Sequence, residues 1–334
     1  MAEERITLAH GNGGRLMREL IEGVFARHLQ HADLDVQSDA APFELGGGTP
    51  YVSTDGFTVQ PLFFPGGSIG ALAVHGTVND LAVAGATPRY LTVNAFIEEG
   101  LALADLDRLV ADLAAAAREA GVAVLAGDTK VVPRGEGSGL YLATTGIGVR
   151  PAGVELGLDR VRPGDSVLVS GPVGDHGTAV MLAREQFGLR GDLVSDAASV
   201  QGLAEAVRAL PGLRFLRDPT RGGLATVAHE IAQARTATVR LLEAEVPVRD
   251  PVQAVCEMLG YDPYYLACEG RVVAVAAPEA AEAVLAAWRA LPEGAEAAEI
   301  GRVEAGPAEV VLETELGGER VLEELEDDPL PRIC

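Results

Sequence analysis

The chain has 334 residues and a formal net charge of −23, from 49 acidic against 26 basic residues. That charge sets it against nucleic acid and anionic membrane surfaces, while a hydrophobic content of 48% supplies real cores and excludes a disordered coil. No apolar run approaches the length of a membrane span.

The opening Met1-Ala2-Glu3-Glu4-Arg5 lacks the basic-then-apolar pattern of a secretion signal. The cysteines, Cys256, Cys268 and Cys334, are odd in number and form no CxxC pair, so a reducing, cytoplasmic setting is expected. Residues 1–40 read as an arm: a glycine-rich loop, His10-Gly11-Asn12-Gly13-Gly14, then an amphipathic helix over 15–29. In that helix Leu16, Leu20, Ile21, Val24 and Phe25 are spaced for one buried face. A first domain is expected over 41–150. It begins with a strand at 51–54 ending at Asp55-Gly56, then a helix near 70–84 interrupted at Asn79-Asp80. A strand at 91–97, a helix at 104–120, a buried strand at 122–126 running into Gly127-Asp128-Thr129-Lys130, and a strand at 141–149 complete it.

A polar, turn-rich stretch then leads into a second domain over 151–316. A strand at 166–170 feeds a glycine-rich turn and a helix expected to run through Phe187. Helices near 197–209, 224–234 and 251–259 follow, then a strand at 271–276, a helix at 279–290 and a β-rich end. The mixture predicts a two-domain α/β or α+β fold. Residues 317–334 read as a mobile tail. From Glu323 onward it carries five carboxylates and two prolines before Cys334, and its twelve residues could span about 40 Å when extended.

Five aspartates stand out: Asp55, Asp80, Asp128, Asp175 and Asp218. Each alone is a turn or capping residue. Recurring beside glycines, they suggest carboxylates separated by a hard cation such as Mg²⁺, which lets an acidic protein hold a nucleoside triphosphate. No P-loop is available, because Lys130 is the only lysine among the 26 basic residues and lies in Gly127-Asp128-Thr129-Lys130. A compact, titratable ammonium retained in an arginine background points to a need that a guanidinium does not meet. The loop at 11–14 precedes a helix and suits an anion, but follows no clear strand, as a dinucleotide fingerprint would. Arg221-Gly222-Gly223, also before a helix, reads equally as a phosphate cradle or a plain helix start. His28 and His31 share a helix face without a third ligand and read as surface residues. His10 and His176 lie in glycine loops, open to structural or catalytic roles. Cys256 and Cys268 read as buried thiols, and Glu269 as a turn carboxylate beside an apolar stretch.

Together these segments resemble a family. His10-Gly11-Asn12-Gly13-Gly14, Ser53-Thr54-Asp55-Gly56-Phe57, Val78-Asn79-Asp80-Leu81-Ala82, Gly127-Asp128-Thr129-Lys130-Val131, Gly174-Asp175-His176-Gly177, Arg217-Asp218-Pro219-Thr220-Arg221-Gly222-Gly223 and Pro331-Arg332-Ile333-Cys334 carry the likeness. The family is the ATP-using enzymes that include aminoimidazole ribonucleotide synthetase, selenophosphate synthetase and thiamine-monophosphate kinase. The likeness is closest to its carbamoyl dehydratase branch, which serves hydrogenase maturation. The resemblance implies a homodimer joined by an intersubunit β-barrel of the N-terminal domains, with a C-terminal α/β domain. It implies that the carbamoyltransferase HypF loads Cys334, and that ATP and Mg²⁺ drive dehydration of the S-carbamoyl group to S-cyanocysteine, a thiocyanate. The cyano group would then pass to iron on the HypC–HypD complex for nickel–iron hydrogenase. It also implies Cys334, Lys130 and Glu269 as catalytic residues. Asp55, Asn79, Asp80, Asp128, Asp175, Asp218, Arg221, Gly222 and Gly223 would hold the nucleotide, with Asp55, Asp80 and Asp128 on the metal. Two alternatives stand beside it: a small-molecule kinase or synthetase of the same fold, and a non-catalytic carrier with a cysteine tail.

Overall fold

Stretches of alternating side chains build both halves of the molecule. The computed structural model describes residues 4–334 apart from 13, 32–33, 35, 37–39, 185–190, 327–329 and 331–332. The chain divides into two compact units. Unit 1 is Met1–Leu81, Ala86–Arg150 and Cys334; unit 2 is Ala82–Gly85 and Pro151–Ile333.

In unit 1, helix α1 (Arg15–Leu20) continues into a π-helical stretch, Ile21–Ala26. The chain then forms β1 (Thr49–Phe57), the short pair β2 (Phe63–Phe64) and β3 (Gly67–Ser68), α2 (Ile69–Val83), β4 (Thr87–Glu98), α3 (Leu103–Glu119), β5 (Ala123–Val132) and β6 (Leu140–Arg150). Four strands make a sheet in the order β1-β6-β4-β5, with only the β4–β5 pairing parallel. Leu91, Val93, Ala95 and Ile97 of β4 are buried on one face, and Leu106, Leu109 and Leu113 of α3 are buried as well. On the same side Gly146 leaves room for Thr77 and Leu81 of α2, because a Cβ there would lie 2.6 Å from Thr77 Cγ2. Strand parity sends the intervening residues to the other face. Register aligns Val52 with Ile147, Tyr90 with Ile147, Phe96 with Tyr141, and Phe96 with Lys130. On that open face Val52 is 71% and Phe96 41% exposed.

Three sequence expectations change here. Asp55 and Asp128 lie inside strands rather than in turns after them, since β1 and β5 run on through their glycines. Helix α2 is continuous across Asn79-Asp80, with Asn79 buried.

Unit 2 consists of β7 (Ser166–Val169), α4 (Asp175–Ala183), α5 (Gln201–Val207), β8 (Leu213–Arg217), α6 (Gly223–Arg235), β9 (Thr238–Leu242), α7 (Asp250–Leu259), β10 (Val273–Ala276), α8 (Pro278–Arg289), β11 (Ala298–Glu304), β12 (Glu309–Glu313) and β13 (Glu319–Val321). Its seven strands are ordered β13-β12-β9-β11-β7-β10-β8. Both faces are covered. Val167, Val169, Val273 and Val275 share one core with Leu224, Val227 and Ile231 of α6. The alternating Leu168, Ala274 and Ala276 share the other with Leu203, Val284 and Trp288 of α5 and α8. Strands β8 and β9 have no counterpart in the sequence reading. The helix expected to reach Phe187 ends at Ala183 among the described residues, and Phe187 lies outside them. Of the tail expected from residue 317, Glu319–Val321 is a sheet strand and Leu322 is buried. The Leu322 main chain is held at both ends, its N–H donating to Val310 O at 2.9 Å and its carbonyl accepting from His229 Nε2 at 2.9 Å.

Candidate functional site

In unit 1 the acidic motifs fall into two separate places. Ser53, Asp55 and Phe57 alternate toward α2, where Gly76 and Asp80 stand one helical turn apart. Gly76 packs beside Phe57 and Asp55, since a Cβ there would meet the Phe57 ring at 2.8 Å and Asp55 Oδ2 at 3.7 Å. Ser53 Oγ donates to Asp80 Oδ2 at 2.5 Å, so Asp55 and Asp80 share the β1–α2 junction. Asp128 and Lys130 project from β5 at the opposite edge and on the opposite face, in register with Asn94 and Phe96. Lys130 Nζ pairs with Asp128 Oδ2 at 2.9 Å, both side chains more than half exposed. Asp128 also borders a cavity of about 160 Å³ lined by Ile21, Phe25 and Val93.

One chain therefore does not gather Asp55, Asp80 and Asp128 into a three-carboxylate site. No cluster of three metal-ligating side chains occurs among the described residues. The carboxylates of Asp55 and Asp80 are the donor type that Mg²⁺ takes, commonly one or two together with substrate phosphates and water. Cys334 belongs to this unit, half-buried. Its main-chain oxygen accepts from Thr58 N at 2.9 Å and from Thr58 Oγ1 at 3.2 Å, three residues beyond Asp55.

In unit 2 three motifs meet around the segment 264–270. Gly174, in the left-handed region at φ +83°, caps α4, and its N–H donates to Cys268 Sγ at 3.2 Å. Gly177 N donates to Ala267 O at 3.0 Å, and Cys268 N donates to Pro219 O at 2.9 Å. Gly222, at φ +71°, precedes α6, and no side chain caps that helix. A bare N-terminus of a thirteen-residue helix flanked by glycines fits a phosphate group. Arg221 beside it is exposed, and Asp218 is buried at the end of β8. Gly223 has φ +59°, and a Cβ would lie 2.5 Å from Leu266 O and 2.6 Å from Tyr264 O. Gly223→Ala is thus expected to cost at least about 2 kcal/mol of stability. An unchanged urea midpoint would remove the close-approach argument.

Glu269, only 2% exposed, sits within this convergence. Its N–H donates to Asp196 Oδ1 at 3.1 Å. Arg271 lies 3.4 Å from Asp196 and 3.7 Å from Asp175, and Arg249 Nε donates to Asp175 Oδ2 at 3.0 Å. Burial, then mutual repulsion with Asp196, raises the Asp175 carboxyl above its ordinary range, against the pull of Arg249 and Arg271. Burial likewise raises Asp196, opposed by Arg271 and backbone N–H groups. Cys268 is pushed well up by burial and is an inert thiol, as expected from sequence.

Asp196 escapes a motif search because nothing local marks it. Only the fold brings it to the Glu269 backbone. His28, read from sequence as a surface residue, bonds Asp107 of α3 through Nε2 at 2.9 Å.

Comparison with known proteins covers both units. Residues 37–150 match the family described as AIR synthase related protein, N-terminal domain, and residues 162–313 match its C-terminal domain. The chain is 50% identical over 331 residues to carbamoyl dehydratase HypE of Azotobacter vinelandii, spanning 98% of this chain and 97% of that protein. A crystal structure of hydrogenase maturation protein HypE in complex with ATP superposes with TM-score 0.93 at 46% identity, covering 98% of this chain and 99% of that one. The structure of a HypE–HypF complex matches with TM-score 0.81 at 42% identity, over 92% and 99% of the two chains.

Proposed function

The chain belongs to the HypE family of carbamoyl dehydratases, and we propose that it performs the ATP-dependent dehydration on an S-carbamoyl group carried by its own Cys334. It is an enzyme of hydrogenase maturation that works with ATP. A carboxamide oxygen leaves poorly, so the reaction begins when that oxygen accepts the terminal phosphoryl group of ATP, releasing ADP. The two N–H protons then depart as the C–O bond breaks and phosphate is expelled, leaving S–C≡N on Cys334. Glu269 takes a proton as general base, and its burial favours that work. Lys130 sets a compact positive charge against the developing phosphate and imidate charge.

The α6 N-terminus with Gly222, Gly223 and Arg221 would hold phosphate oxygens, with Asp175 and Asp218 shaping the loops around it. Asp55 and Asp80 would hold Mg²⁺, whose chemistry is to offset the phosphate charge, and Asn79 on the same helix would serve the nucleotide. Asp128 serves through its pairing with Lys130.

HypF is the partner that loads the thiol, in keeping with the HypE–HypF complex. The HypC–HypD complex is the acceptor of the cyano group. A second copy of the chain covers the open sheet face bearing Val52 and Phe96, closing the intersubunit barrel. The setting is cytoplasmic, in keeping with three free cysteines and no helix long and apolar enough to cross a membrane among the described residues.

The observation that carries the reading is the docked terminus. The main chain of Cys334 is bonded next to the Asp55 motif, and the residue is only partly buried. Mass spectrometry of the C-terminal peptide tests it. After incubation with HypF, a carbamoyl donor and Mg-ATP, Cys334 is expected to gain a carbamoyl group and then lose one water. Cys334→Ala yields neither product. A tail that stays unmodified, or small-molecule turnover that survives Cys334→Ala, overturns the assignment in favour of a kinase or synthetase.

A further inference from the structure

The ring of His176 occupies the second position of α4, wholly buried, and both of its nitrogens are engaged within unit 2. Nε2 lies 2.9 Å from the carbonyl oxygen of Ile333. A carbonyl can only accept, so Nε2 carries the proton. Nδ1 lies 2.7 Å from Ser195 Oγ, and burial holds the ring neutral by lowering its pKa to about 4. Nδ1 is therefore an acceptor and the serine hydroxyl its donor, while Ser195 Oγ itself accepts from Ala197 N at 3.0 Å. The chain of bonds has one direction, from Ala197 N–H through Ser195 and His176 to Ile333. Such a relay fixes the tautomer that can grip a carbonyl.

We infer that His176 is a positioning residue that sets the register of the C-terminal segment by holding the Ile333 main chain. Ile333 and Leu330 are each only 4% exposed, so apolar anchors give adhesion without fixing register. A directional bond to one carbonyl supplies what they lack. The next residue along the chain is Cys334, and a slip of one position would displace its thiol by about 3.3 Å. Gly177, adjacent to His176, is bonded to Ala267, two residues before Glu269. The histidine and the proposed base thus share one framework. The effect on catalysis rests on the proposed dehydration, but the grip itself does not.

The test reads the grip first, in the full chain without ATP or partner. Cys256 and Cys268 are buried, so the iodoacetamide reaction followed on the C-terminal peptide reports Cys334. His176→Phe is expected to raise its alkylation rate severalfold, up to the roughly tenfold that loss of about 1.4 kcal/mol of hydrogen bonding allows. His176→Gln, whose amide can still donate to the carbonyl, should return to within about twofold of the unaltered protein, a rescue that mere cavity filling does not predict. Unchanged alkylation in His176→Phe, or equal rates for Phe and Gln, overturns the assignment. Should His176→Phe fail to fold, ring ¹⁵N NMR of the unaltered chain decides. The Nε2–H resonance should shift on deletion of Ile333 and Cys334, and an unmoved resonance refutes the bond. Single-turnover dehydration of the carbamoylated protein comes second, expected to slow severalfold in His176→Phe with ATP affinity unchanged. An alkylation shift in a protein that never dehydrates its tail would leave the grip standing and remove the dehydratase reading alone.

Discussion

Glu269→Gln is expected to slow formation of S-cyanocysteine by roughly 100- to 10,000-fold, the span that general-base catalysis contributes, with ATP affinity nearly unchanged. Glutamine has the shape of glutamate and leaves intact the main-chain bond from residue 269 to Asp196. The framework of Asp196, Arg271, Asp175 and Arg249 does not depend on the carboxylate of Glu269 for the contacts described. On the proposed role, what the substitution removes is an acceptor for the amide proton. The carbamoyl form of Cys334 should therefore accumulate in the variant, visible as the mass of the C-terminal peptide after a single turnover. A rate within a few-fold of the unaltered enzyme would transfer the base role elsewhere.

Lys130 carries the second large effect. Lys130→Met is expected to lower the dehydration rate by about 100- to 1,000-fold, as loss of a transition-state charge partner does. Lys130→Arg separates charge from shape. An arginine can still pair with Asp128, which stands on the same open sheet face, but it is broad and cannot release its proton. A loss of at least about tenfold with arginine would confirm the need for a compact ammonium. Full activity with arginine would mean that charge alone suffices, and the solitary lysine would then be an accident of composition. ATP affinity, measured separately by calorimetry, distinguishes an effect on the reaction from one on nucleotide capture.

Much of the architecture was legible because hydrophobic periodicity is a local property. Strands β4 and β6 and helices α3, α6 and α8 follow from patterns of alternation and 3.6-residue spacing. Two kinds of information were not local. Asp55 and Asp128 each precede or follow glycine and read as turn residues, yet both are strand positions whose backbone bonds come from distant partners. Once they lie in strands, parity sends Asp55 toward α2 and Asp128 to the opposite face. That division separates carboxylates which the sequence invites one to group. Strands β8 and β9 were missed because each is short and interrupted by arginine, and their burial is decided by neighbours far along the chain. Asp196 and the His176–Ile333 bond belong to the same class, with 73 and 157 residues between partners.

Two anchors on the last two residues end on main-chain oxygens: His176 on Ile333 within unit 2, Thr58 on Cys334 within unit 1. Neither reads the sulfur. Loading or conversion of the thiol therefore leaves these two main-chain anchors in place. Because the segment is covalently attached, docking is a first-order event at an effective concentration that for short tethers is on the order of millimolar. Any partner that engages the tail would have to compete against that local concentration.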